Sequence, residues 1–112
     1  MRIYRSESAE MIEPPGHFGG LTITDVVDEA TGGNFRVQLS VCPPGSGGER
    51  HAHDDEKQLF VIVRGQLSFF LDGQEPFTLR ERDGVLLSPG EYHATKNESD
   101  EETVALVVTV RQ

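Results

Sequence analysis

The chain reads as an all-β protein, a sandwich or barrel of short antiparallel strands. Three observations predict this. Apolar residues alternate with polar ones at period two in several short runs. Turn-forming pairs interrupt those runs at short, even intervals. No stretch carries a sustained helical stripe with caps.

The first strand-like run is Leu21–Val27. The second is the clearest: Phe35, Val37, Leu39 and Val41 alternate with Arg36, Gln38, Ser40 and Cys42. Such alternation puts one side of a strand on a core and turns the other away from it. Further runs span Gln58–Val63, Gln66–Leu71, Phe77–Arg80, Val85–Ser88, Tyr92–Lys96 and Thr103–Val110. All are rich in Val, Ile, Leu, Phe and Thr, which fit a pleated, half-buried surface. Gly32-Gly33, Pro43-Pro44-Gly45, Gly47-Gly48, Arg64-Gly65, Asp72-Gly73, Asp83-Gly84 and Ser88-Pro89-Gly90 supply the turns. Asp72-Gly73 suggests a tight hairpin. Residues 1–20 are expected to form an arm or edge strand, and residues 21–112 the single domain. The acidic clusters Asp54-Asp55-Glu56 and Ser99-Asp100-Glu101-Glu102 are expected to be solvated loops.

Composition limits what such a domain does. At 112 residues one core is expected. The net charge of −9 repels phosphate backbones and argues against a nucleic-acid partner. No apolar run approaches the roughly 18 residues of a membrane span. No apolar leader opens the chain, and Cys42, the one cysteine, has no partner for a disulfide. The expected compartment is the cytoplasm.

The chemistry concentrates between Gly45 and Gly65. His51 and His53, two apart on a strand, would present two imidazoles to one point. Gln58 opens the next run, and its amide oxygen reaches the same point if the two strands pair. His93 follows a Pro-Gly turn and completes a set of three histidines and one glutamine. Several N and O donors converging inside a small barrel describe a transition-metal site with positions left open. Phe60 and Ile62 share parity with Gln58. With Phe69, Val37 and Leu39 they are the candidate pocket residues. Leu59, Val61 and Val63 face the other way, so both sides of that strand need cover, from the other sheet or from a second chain. His17 fits no ligand spacing, and Cys42 has no basic neighbour to activate it.

The two stretches together resemble the cupin family. The first reads G-x5-H-x-H-x4-Q-x6-G from Gly45 to Gly65, with Gln58 where cupins usually carry Glu. The second supplies Asp83, Gly90, His93 and Asn97 at the usual positions. It departs at Arg82, in the place of the first Gly, and at Ser88, in the place of the Pro, with Pro89 following. The resemblance covers about residues 35–110. It implies a conical antiparallel barrel, a jelly roll, with one divalent metal inside (Fe, Mn, Ni, Co or Zn), a small-molecule substrate and a homodimer. Sugar-nucleotide ketoisomerases share the H-A-H-x4-Q run and an aromatic where Tyr92 stands. They place an arginine several residues ahead of the first histidine, whereas Arg50 adjoins it here. Cupins acting on unsaturated uronates and cupin polyketide cyclases are similar in their metal shells.

A neutral glutamine leaves the metal's charge near +2, where a glutamate would halve it. That favours Lewis-acid work on a carbonyl, phenolic or sugar-acid metabolite by an isomerase, cyclase or lyase. A dioxygenase is the alternative enzyme. A non-enzymatic module that binds a metal or metabolite is the alternative of another class.

Overall fold

The computed structural model describes residues 1–112. Ten strands run β1 (His17–Phe18), β2 (Thr22–Val27), β3 (Phe35–Cys42), β4 (Gly47–His51), β5 (Glu56–Arg64), β6 (Gln66–Leu71), β7 (Phe77–Arg80), β8 (Gly84–Leu87), β9 (His93–Lys96) and β10 (Thr103–Arg111). One helical turn, α1 (Glu29–Gly32), joins β2 to β3 and is capped by Asp28, whose carboxylate accepts from the Thr31 amide. The strands form two five-stranded antiparallel sheets, ordered β1-β4-β9-β6-β7 and β2-β3-β10-β5-β8. This is the all-β architecture that the alternation predicts, in the jelly-roll form that the cupin resemblance implies. No helix is long and apolar enough to cross a membrane.

The predicted runs become strands with ends moved by a residue or two. Sequence reading did not delimit β4, whose Gly-Gly-Glu-Arg-His has no apolar alternation. Its glycines are needed by the packing. A Cβ on Gly47 would lie 2.0 Å from the Thr95 carbonyl oxygen of β9, so only glycine lets β4 approach that strand. The Asp72-Gly73 turn is wider than a two-residue hairpin, because pairing of β6 with β7 stops at Phe69↔Phe77. Ile12 bridges to Ile23 at the edge of one sheet, and His17–Phe18 pairs with β4 at the edge of the other.

The core lies between the sheets and is built on Leu21, Ile62, Leu67, Phe69, Leu71 and Leu87. Phe69 stacks on Phe77 with ring centroids 5.5 Å apart and meets Phe60 edge-on at 5.2 Å. Phe60 also lies edge-on to His93, at 6.3 Å, and so links this core to the histidine cluster.

The outer side of the second sheet is apolar. Val61, Leu106 and Leu39 stand in register across β5, β10 and β3, and Leu59, Val108 and Val37 form the next row. Phe35, Val63 and Leu86 extend the patch and are exposed.

Candidate metal centre

His51 and His93 are direct cross-strand partners on β4 and β9. Their ring centroids are 4.5 Å apart. A bulge in β4 between Gly48 and His51 sets that register. His53 lies beyond the end of β4, and the Gly90 amide of the Ser88-Pro89-Gly90 turn donates to its carbonyl at 2.7 Å. The His53 ring is 5.0 Å from that of His51. The ligand atoms of the three histidines all lie within 4.8 Å of one another.

Gln58 arrives differently from the sequence expectation. Its strand, β5, does not pair with β4; the two belong to opposite sheets. The glutamine lines the same cavity as the histidines, from the opposite sheet. In β5 it pairs with Thr109 of β10, and its Nε2 donates to Thr109 Oγ1 at 3.1 Å.

The hydrogen bonds set the tautomers. His51 Nδ1 is 2.7 Å from the Glu49 carbonyl, and His93 Nδ1 is 3.1 Å from the Glu91 carbonyl. A carbonyl only accepts, so both Nδ1 atoms carry the proton and each neutral ring keeps its Nε2 lone pair free. His53 Nδ1 faces the Glu56 carboxylate at 3.2 Å, with the same result. The Nε2 atoms of His53 and His93 and the Oε1 of Gln58 are buried without a hydrogen-bond partner. Each such group costs about 1–3 kcal/mol when left unsatisfied. Three of them around one cluster suit a cation, which satisfies all three at once. Burial pushes the His53 and His93 imidazoles below their ordinary value, and repulsion from His51 adds to this. Neutral imidazole is the form that binds metal.

A cavity of about 250 Å³ opens at this cluster. Phe60 lines it. Ile62 and Phe69 do not; they are completely buried in the core beyond Phe60. Val37 and Leu39 do not line it either. The β3 residues on the cavity wall are Arg36, Gln38, Ser40 and Cys42, the opposite parity. The physical reason is that this part of the interior is a cavity and not a packed core, so polar β3 side chains can turn inward without losing contact with solvent or ligand. Cys42 is buried, and desolvation raises its thiol pKa, in keeping with an inert cysteine.

Sequence reading missed four participants. Glu56 is no solvated loop residue, since it pairs with both His53 and Arg36. Arg36 lies on the cavity wall, and Thr109 positions Gln58. His17 lines the cavity with its ring 6.2 Å from that of His51, brought there by the pairing of β1 with β4. Only Glu56 left a signal, its offset of three from His53. Tyr92 and Arg50 stay outside the cavity, Arg50 stacking 4.1 Å over the Tyr92 ring.

The family model for the cupin domain matches residues 38–109, and the chain belongs to the cupin family. No curated protein matches it. Among solved structures it is similar to a predicted oxalate decarboxylase from Thermotoga maritima, at 22 % identity and TM-score 0.87, covering 99 % of this chain and 100 % of that one. The polyketide cyclase RemF from Streptomyces resistomycificus is similar at 17 % identity and TM-score 0.84, covering 100 % and 80 %. KdgF from Halomonas sp. is similar at 14 % identity and TM-score 0.82, covering 100 % and 94 %. These likenesses carry the fold, not an activity.

Proposed function

We propose that this cupin is a metal-dependent enzyme. One divalent transition metal is held by the Nε2 atoms of His51, His53 and His93 and by Oε1 of Gln58. It acts on a small organic metabolite by non-redox chemistry, as an isomerase, cyclase or lyase. The observation that carries the reading is the set of three buried, unpartnered acceptors beside the cavity. A divalent ion there would act as a Lewis acid on a substrate oxygen. The chain's own residues supply the rest. Two backbone carbonyls and Glu56 hold the imidazoles in one tautomer, Thr109 turns the amide oxygen of Gln58 inward, and Phe60 and Leu67 give the cavity an apolar wall. All four donors are neutral, so none reduces the ion's charge, which favours Lewis acidity over oxygen activation.

Elemental analysis of protein purified without added metal tests the site. About one transition metal per chain is expected, lost in His51→Ala and His93→Ala. Absence of metal, with no uptake on titration, would overturn the reading. Oxygen consumption stoichiometric with product would overturn the non-redox assignment.

We also propose a homodimer through the outer face of the second sheet. Soluble monomers rarely leave a contiguous apolar patch above a few hundred Å² uncovered. The rows Val61–Leu106–Leu39 and Leu59–Val108–Val37 suit a two-fold packing of like on like. Light scattering should give twice 12.4 kDa. Leu106→Glu should give a monomer that keeps its metal. A monomeric native protein would remove the proposal.

A further inference from the structure

Resting on the metal reading above, we propose that the substrate carries a carboxylate, and that Arg36 binds it. Eighteen residues line the cavity and none is Asp or Glu. The chain has 19 acidic residues among 112, so a proportionate share of the lining would be about three. The lining holds one permanently charged group, Arg36, and that group is a cation. The lining of this acidic protein's cavity thus carries a guanidinium and no carboxylate of its own, Glu56 entering only as the partner of Arg36 and His53.

The way Arg36 is anchored adds to the argument. Both hydrogen bonds it makes within the protein leave from Nη1, to Glu29 Oε1 and Glu56 Oε2, each at 3.1 Å. The Nε and Nη2 donors are unclaimed. Those two form the side-on fork that grips a carboxylate through parallel hydrogen bonds. Arg50 uses that same edge on Asp72, with Nε and Nη2 each meeting one carboxylate oxygen. The anchoring carboxylates do not over-neutralise the site, because Glu29 is shared with Arg111. Glu56 places the guanidinium two hydrogen bonds from a metal ligand, since its other oxygen meets His53. A small ligand can therefore reach Arg36 with a carboxylate and the histidine cluster with a neighbouring oxygen. Gln38, two residues along the same face of β3, lines the wall beside Arg36.

The test compares matched probes, 2-hydroxybenzoate with 2-hydroxybenzamide and galacturonate with galactose, by calorimetry on the protein as purified with its metal. Each carboxylate should bind about tenfold or more tighter than its neutral partner, the usual worth of a charge-assisted pair. Arg36→Gln, with metal content and circular dichroism unchanged, should bring the preference within about threefold. A native protein that binds neither carboxylate in preference, or binds none of the four probes at millimolar concentration, overturns the proposal. So does a full preference in metal-loaded Arg36→Gln, because the metal alone would then read the carboxylate. If Arg36→Gln loses metal or fold, Arg36→Lys decides. It keeps the charge and loses the fork, and an undiminished preference there overturns the proposal. Native protein with no metal at all would sink the metal reading instead. The carboxylate preference of that protein would still show whether Arg36 binds the anion.

Discussion

Of the three histidines, only His53 has its Nδ1 held by a side chain. The partner is Glu56, whose side chain is only 12 % exposed. Its second oxygen accepts from Arg36. In Glu56→Gln the shape is kept, but one of the two carboxylate oxygens becomes an N–H donor. That donor must face either Arg36 Nη1 or His53 Nδ1, and both are donors already. One contact is lost and a repulsion replaces it, in a place shielded from water. Losing a charge-assisted hydrogen bond of this kind costs about 1.5–3 kcal/mol. Removing a carboxylate that orients a metal-binding histidine weakens metal affinity about 10–100-fold. The internal control is Glu49→Ala. Glu49 holds His51 through its backbone carbonyl, which the substitution leaves in place. Its effect should stay within about twofold, because the side chain is exposed. The assay is chelator competition for Zn²⁺ or Co²⁺ in both variants and the native protein, with folding checked by circular dichroism. A folded Glu56→Gln whose affinity matches the native value would refute the reasoning, as would an equal loss in Glu49→Ala.

Arg82 adopts a φ of 72°, the one non-glycine residue of the chain in the left-handed region. That conformation costs an L-residue about 1–2 kcal/mol, and glycine gives back part of the gain as lost chain entropy. Arg82→Gly should therefore stabilise the protein by about 0.5–1 kcal/mol in urea unfolding, and a destabilised variant would contradict this. The metal-free protein should also lose stability on acidification. His53 and His93 titrate below the ordinary value of 6.5 when folded, so below that pH the unfolded chain binds more protons than the folded one. The melting temperature should hold above about pH 6.5 and fall from there downward as the pH drops through the folded values. Asp28 and Asp72, held below 3.8 by Thr31 and Arg50, act only in a more acid range. A flat profile between about pH 7.5 and pH 5 would refute the assignment of these histidines as buried and neutral.

Much of the site was legible because it is local in sequence. His51, His53 and Gln58 lie within eight positions, and His93 follows a turn that the sequence announces. What stayed hidden depends on pairing between distant strands. Spacing alone does not say that β4 and β5 part into opposite sheets, so it does not reveal that Gln58 comes to the cavity from the sheet opposite His51 and His93. His17 comes to the cavity through two residues of edge pairing, too short a strand to leave a periodic pattern. Arg82 is a different case. The departure from glycine was visible, and the structure supplies the reason for the usual glycine: the backbone there is left-handed.

The inversion of β3 links the remaining features. Alternation distinguishes two faces but does not say which one looks inward. In an ordinary sandwich Val37 and Leu39 would face the core and Arg36 and Gln38 the solvent. Here the interior beyond Phe60 is already filled by Ile62 and Phe69, and the space beside the histidines is a cavity rather than a packed core. Polar side chains can therefore face inward at small cost, because a cavity open to water or ligand satisfies them. The same turn of the strand sends Val37 and Leu39 outward, where β10 places Leu106 and Val108 beside them. An apolar outer face and a charged cavity wall are thus two sides of one choice of strand parity. The proposed anion site and the proposed dimer face thus lie on opposite sides of the same sheet, so a change in the parity of β3 would disturb both.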